Sequence, residues 1–189
     1  MICYMWSWLS AMVPFFTKYV IGAGEQEMGI LFLAMFITSM ALYALWRKVV
    51  IRYGSKQTLI MAVTLFVAFL FPVLVVGNFM QALTMMLFAG AANSGITLTR
   101  EVVLSDVIDE DDINTGVRTE GTYFGVNAFI ERFAMVIVGG TTALALGLSG
   151  YVPGLITQPP SAVFGIRLGM TMLPLAALLV FLISLKYYP

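Results

Sequence analysis

Five short polar breaks cut this chain into six apolar runs of membrane-crossing length, and that spacing leaves few folds open. A helix needs about 20 apolar residues to cross a hydrocarbon core of about 30 Å. Read this way, the runs predict helices near 1–21, 28–50, 57–76, 79–104, 119–147 and 164–187. The breaks are Gly22 to Glu27, Arg47 to Lys56, Gly77 with Asn78, the stretch 105–118, and Leu148 to Ser161. They carry Gly, Pro, Asn and Ser or clustered charge, which is turn chemistry at a membrane edge. Barrel strands would instead alternate polar and apolar residues over about ten positions. The expected fold class is an all-α membrane protein, with 1–189 forming one six-helix transmembrane bundle.

Composition supports this reading and excludes several functions. Charged residues make up 11% of the chain and hydrophobic ones 60%, against about 25% charged in a soluble domain. Ten basic and ten acidic residues give a formal net charge of zero, so no basic face exists to bind nucleic acid. Cys3 is the single cysteine and histidine is absent, which removes disulfides, Cys/His zinc sites and histidine acid-base chemistry within the chain. Met1 to Ser10 has no basic start and its apolar stretch runs on, so it reads as a membrane helix rather than a signal peptide.

The most polar stretch, Asp106 to Gly121, holds six of the ten acids. It is too charged for lipid and is expected to be a loop over 105–118. Its acids do not follow the spacing of a calcium-binding loop, so no metal site is expected. Nucleophile elbows, Gly-rich phosphate loops and paired-histidine motifs are missing as well. We therefore expect neither an enzyme nor a cofactor, and no ATP-driven pump.

Short cytoplasmic loops collect Lys and Arg. Arg47, Lys48, Arg52 and Lys56 fall between the second and third runs, Arg100 and Arg118 flank the acidic stretch, and Lys186 ends the last run. These positions share one side. Lys18 and Arg167 lie at the other, each close enough to a helix end to snorkel. The expected topology has both termini in the cytoplasm, most simply in the plasma (inner) membrane.

The acidic stretch, followed by T-Y-F-G-V-N-A-F-I-E-R, resembles a cytoplasmic loop and the next helix of the glycoside-pentoside-hexuronide cation symporters. That family, which includes the melibiose permease, belongs to the major facilitator superfamily. Asp106, Asp109, Gly116, Arg118, Glu120 and Gly121 carry the match. K-Y-V-I-G at 18–22, W-R-K-V-V-I-R-Y-G-S-K-Q at 46–57, G-Y-V-P-G at 150–154 and G-I-R-L at 165–168 extend it over nearly the whole chain. The resemblance implies helices seven to twelve of a twelve-helix transporter. It further implies transport of a sugar or related small solute coupled to sodium or protons, with the cation site mainly in the other half. The partners implied are the lipid bilayer, the solute, and an N-terminal six-helix half in the same polypeptide or a second subunit.

Inside the membrane, polar residues mark candidate sites. With the fifth helix starting near Thr119, Glu131 and Arg132 sit roughly 18–20 Å along it. Charges at that depth cost at least about 2.5 kcal/mol each and must face protein or water. Arg132 stands where the melibiose permease carries a lysine, which favours a cavity-lining role for Arg132, whereas for Glu131 a buried structural ion pair is the favoured reading. Asn127 and Tyr123 precede it on the same helix and suit a sugar's hydroxyls and ring face, though interhelical packing is an equal reading. Asn93 is the polar group within a run of small residues, 89–95, that also reads as a packing seam. Tyr4, Trp6 and Trp8 read as interfacial anchors rather than sugar-facing rings.

The charges at the cytoplasmic edge suit a gate. Asp106, Asp109, Arg118 and Glu120, with Arg47, Lys48 and Arg52 and the turn residue Gly54, are expected to pair when that side is closed. Exposed pairs of this kind are worth only ~0.2–1 kcal/mol each. A competing expectation is a six-helix assembly subunit, or an inactive half-transporter, that moves nothing alone.

Overall fold

The computed structural model describes residues 2–117 and 119–185. Its six α-helices are α1 (Ile2–Phe16), α2 (Glu25–Tyr53), α3 (Ser55–Leu70), α4 (Phe79–Thr115), α5 (Glu120–Ser149) and α6 (Pro160–Ser184). A π-helical turn, Thr17–Ile21, prolongs α1, and a 3-10 turn, Phe71–Leu74, prolongs α3. The described residues contain no strand.

Local chemistry sets the helix ends. The Glu27 carboxylate accepts the Gly24 N–H at 2.8 Å and so satisfies a free donor at the start of α2. Asn78 caps α4 by accepting the Gln81 N–H at 2.9 Å. Gly116 follows α4 at φ 68°, a left-handed conformation that glycine adopts without strain.

The stretch expected as a loop over 105–118 is helical through Thr115. Charge keeps residues out of lipid but does not stop a helix, and no Gly or Pro interrupts α4 between Gly95 and Gly116. At about 1.5 Å per residue, α4 is about 55 Å long, far more than a bilayer core of about 30 Å. Its acidic end therefore projects beyond hydrocarbon as a helical post.

Five of the helices are long and apolar enough to cross a membrane by themselves, among them Ser55–Leu74, which includes the 3-10 turn. Helix α1 has 15 residues and reaches membrane-crossing length only with its five-residue π turn. Pro14 lies inside α1 and lacks an N–H, so it removes one helical hydrogen bond just before that turn.

The bundle packs as two groups. Helix α4 lies against α2 and α3, whereas α1 lies against α5 and α6. The small residues 89–95 form a seam with α2. Ser39 donates to the Gly90 carbonyl at 2.8 Å, and Trp46 donates through Nε1 to the Ala91 carbonyl at 2.7 Å. A side chain on Gly95 would meet the Trp46 ring at 2.6 Å, so glycine there lets the indole lie flat on α4.

Trp8 is fully buried and donates to the Gly169 carbonyl on α6 at 3.0 Å, which corrects its reading as an interfacial anchor. Its neighbours Met5, Met12 and Phe16 fall at helical spacing on the same buried face of α1. Arg167 donates to the carbonyls of Leu74 at 3.0 Å and Val76 at 2.6 Å, tying α6 to the end of the 3-10 turn. By contrast, α2 and α5 leave large apolar side chains uncovered, including Phe36, Met40, Phe129 and Phe133.

Candidate functional site

The two helix groups leave a cleft between α1, α4 and α5, with a volume of about 250 Å³. Its polar lining comes from three helical stripes. Cys3 and Ser7 lie one turn apart on α1; Asn93, Thr97 and Arg100 recur at helical spacing on α4; Glu131 faces them from α5. Trp6 supplies an aromatic wall. The core face of α1, with Trp8 and Met12, points the other way into the bundle.

An ion pair crosses this cleft. Arg100 donates through Nη1 to Glu131 Oε1 at 2.8 Å and through Nη2 to Glu101 at 2.7 Å. About a third of each side chain in the Arg100–Glu131 pair stays exposed (34% for both), so the charges are neither fully desolvated nor freely hydrated. Asn127, one turn before Glu131, donates to the same oxygen at 3.3 Å, and the Cys3 thiol lies 3.7 Å from it. Arg100 also reaches the Cys3 sulfur at 3.4 Å. Three contacts thus converge on Glu131 Oε1, which leaves Oε2 to accept another donor. One cation between two carboxylates gives the cluster a formal charge of minus one, from Arg100, Glu101 and Glu131.

Among the residues singled out from sequence, Glu131, Asn127 and Asn93 come together here. Asn93 donates to Ser39 at 3.5 Å, at the edge of hydrogen-bonding distance, so its amide keeps capacity for a ligand. Arg132 does not join them. It is exposed, and it makes no hydrogen bond or ion pair with a described residue. Successive helical residues point about 100° apart, so when Glu131 faces the cleft Arg132 cannot. Tyr123 lies two turns from Glu131 along α5, in a shallow hollow that it shares with Asn127, Leu104 and Ile130.

Arg100 is the site residue that the sequence reading missed. Its helix was expected to end at residue 104, which made Arg100 an edge charge. In a helix that continues to Thr115 it lies about 22 Å from the C-terminal end. The signal was the spacing of Asn93, Thr97 and Arg100, which puts three polar groups on one face.

The charges expected to form a gate are only partly assembled. Ser55, the first residue of α3, donates to Asp106 at 2.9 Å and so joins the α2–α3 turn to the α4 post. Gly54 makes that turn with φ 81°. Arg52 stacks on Tyr53 with its guanidinium 5.4 Å from the ring centre. Arg47, Lys48 and Asp109 are exposed, and no ion pair joins Arg47, Lys48 or Arg52 to Asp106 or Asp109. Glu120 opens α5. The expectation for Arg118 lies outside the described residues.

A helical bundle with several membrane-crossing helices and a charged cleft between them defines an integral membrane protein with a polar interior site. The chain belongs to the MFS/sugar transport protein family, whose model matches residues 3–189. The members of that family are transporters rather than enzymes. The chain is 26% identical to an uncharacterized symporter of Synechocystis sp., over 98% of this chain and 36% of that protein. It is 27% identical to the glucuronide carrier protein homolog of Escherichia coli, over 96% of this chain and 40% of the relative. The human sodium-dependent lysophosphatidylcholine symporter 1 is also 27% identical, over 92% of this chain and 32% of its own length. The chain thus spans well under half of each of these relatives.

Proposed function

We propose that this chain supplies the C-terminal six-helix half of a secondary active transporter that moves a sugar or related small solute by alternating access, coupled to sodium or protons. The observation that carries this reading is the Arg100–Glu131 pair at 2.8 Å, set in a cleft whose other polar groups are the Cys3 thiol, the Asn93 amide and the Ser7 and Thr97 hydroxyls. Glu131 Oε2 and the Asn93 amide suit the hydroxyls of a polyol, and Trp6 suits the apolar face of a sugar ring. A carboxylate paired across two helix groups also suits a moving part, because breaking that one pair lets the groups separate while Glu101 still holds Arg100. The names of two relatives, a glucuronide carrier homolog and a sodium-dependent symporter, support a solute and a coupling cation of these kinds.

In this reading an N-terminal half, in the same polypeptide or a second subunit, closes the cavity from the side that α2 and α5 leave uncovered. The coupling cation binds mainly in that half. Both termini of this chain face the cytoplasm of the plasma (inner) membrane, where Arg47, Lys48 and Arg52 meet the anionic leaflet. Asp106, Asp109, Arg118 and Glu120 form the cytoplasmic gate, with Ser55–Asp106 as one of its contacts.

The test is uptake of a panel of labelled sugars and sugar acids into vesicles that contain the full transporter, with imposed sodium or proton gradients. Gradient-driven accumulation that Glu131→Gln abolishes supports the reading. Absence of gradient-driven uptake across the panel would overturn it. The same assay on this chain alone separates a self-sufficient transporter from a half that needs its partner.

A further inference from the structure

A second cavity adjoins the cleft at Trp6. It holds about 70 Å³ and its lining is almost wholly apolar, with Ser10 as the one polar side chain. Trp6 belongs to both linings. Along α1, the polar cleft uses Ile2 to Ser7 and the apolar chamber uses Trp6 to Val13. Along the facing helix α4, the polar cleft uses Asn93 to Arg100 and the chamber uses Met85 to Ala89. The order is reversed, as antiparallel neighbours require, so the two cavities lie end to end in one seam between α1 and α4. From Ile2 to Val13 the seam is about 17 Å long at the helical rise. One end carries Arg100 and Glu131. The other is walled by four methionines, Met35, Met85, Met86 and Met170, and by the rings of Phe32, Phe66 and Phe69.

We propose that this seam binds an amphiphilic solute, with a hydroxyl-rich head at the Arg100–Glu131 pair and an unbranched apolar tail in the methionine-walled chamber behind Trp6. This rests on the cleft being the solute site. A head group alone would leave the chamber unused, and the chamber offers nothing to a polar molecule. At about 70 Å³ it is under half the size of a 150 Å³ cavity that takes benzene, so it receives a narrow chain rather than a ring. Methionine walls suit a tail of variable length, because unbranched thioether side chains re-pack at low cost.

The experiment is calorimetric binding of n-alkyl glucosides and n-alkyl glucuronides, methyl to octyl, to the full-length protein in lipid nanodiscs, with empty nanodiscs subtracted. Affinity should rise by about fourfold per added methylene until the chamber is full, then level off. Ala89→Leu, which fills the chamber with an aliphatic side chain, should flatten the series from its methyl member upward. Met86→Ala, which enlarges the chamber, should move the plateau to longer tails and provides the answer if the first variant does not fold. A tail-length dependence identical in both variants and the natural protein would mean that lipid or the other half covers the chamber, and would overturn the proposal. Methyl glycosides that bind with no gain from any tail would overturn it while leaving the sugar-site reading intact. No binding by any member of either series would overturn both.

Discussion

Arg100 on α4 and Glu131 on α5 meet at 2.8 Å although their helices pack on different neighbours, so this ion pair bridges the two halves of the bundle. Glu101 holds the second arm of the same guanidinium at 2.7 Å. Arg100 therefore keeps a counter-charge whenever Glu131 lets go. A cation shared between two carboxylates can exchange partners at lower cost than one that must be stripped bare.

Removing either member of the pair should weaken transport and stability together. Exposed pairs are worth ~0.2–1 kcal/mol and breaking a buried pair costs 3–5, so for a pair one-third exposed we expect roughly 1–2 kcal/mol from Arg100→Ala. A double-mutant cycle with Glu131→Gln should return a coupling energy of about 1 kcal/mol. Strictly additive single and double variants, in thermal midpoint and in uptake rate, would show that the bridge is idle.

The seam between α2 and α4 makes a sharp comparison of glycines possible. A Cβ on Gly95 would lie 2.6 Å from the Trp46 ring and 2.9 Å from the Ala62 methyl, whereas one on Gly125 meets nothing within 4 Å. Gly95→Ala should destabilise by roughly 1–3 kcal/mol through overpacking. Gly125→Ala should be neutral or stabilising by up to about 1 kcal/mol, because alanine is the better helix former. Thermal unfolding of the two purified variants checks the order.

Arg167 should act as a structural clamp. Its guanidinium serves two carbonyls at the end of the 3-10 turn, those of Leu74 and Val76. Charged hydrogen bonds contribute about 1.5–3 kcal/mol, so Arg167→Ala should lower stability by about 2 kcal/mol. Hydrogen exchange should then speed up at the amides of 73–77, with little change in α2.

The acidic end of α4 is open to direct measurement. Amides 106–115 should exchange slowly, as in a hydrogen-bonded helix, and Asp109→Pro should release them by removing one bond and clashing with the preceding turn. Fast exchange across 106–115 in the natural protein would restore the loop reading. Ser55→Ala should loosen the same segment only slightly, since it removes a single exposed contact to Asp106.

The runs of apolar residues were enough to read an all-helical membrane protein, and the wording of 106–132 was enough to read its family. The helix breaks near 22–24, 54, 77–78 and 150–159 were legible because Gly, Pro and Asn have local backbone effects that need no partner. Three things were not legible in the same way. Polarity was mistaken for a loop at 105–115, because avoidance of lipid and avoidance of helix are different properties. The partner of Glu131, Arg100 on α4, was missed, because a position in one helix does not say which way that helix is turned or what it meets. Trp6 and Trp8 looked alike near the start of α1, yet one walls the cleft and the other donates to α6.

By itself, then, the sequence determined which segments leave water and where Gly, Pro or Asn can break a helix, since hydrophobic length and turn chemistry act within a few residues. The tertiary structure alone decided that Cys3, Asn93, Arg100 and Glu131 share one cleft, and that a polar and an apolar cavity lie end to end along α1. Those relationships depend on the rotation and pairing of helices far apart in the chain. Packing sets them, through contacts such as Trp46 on Gly95 and Trp8 on Gly169, and no local pattern encodes which partner each helix face will meet.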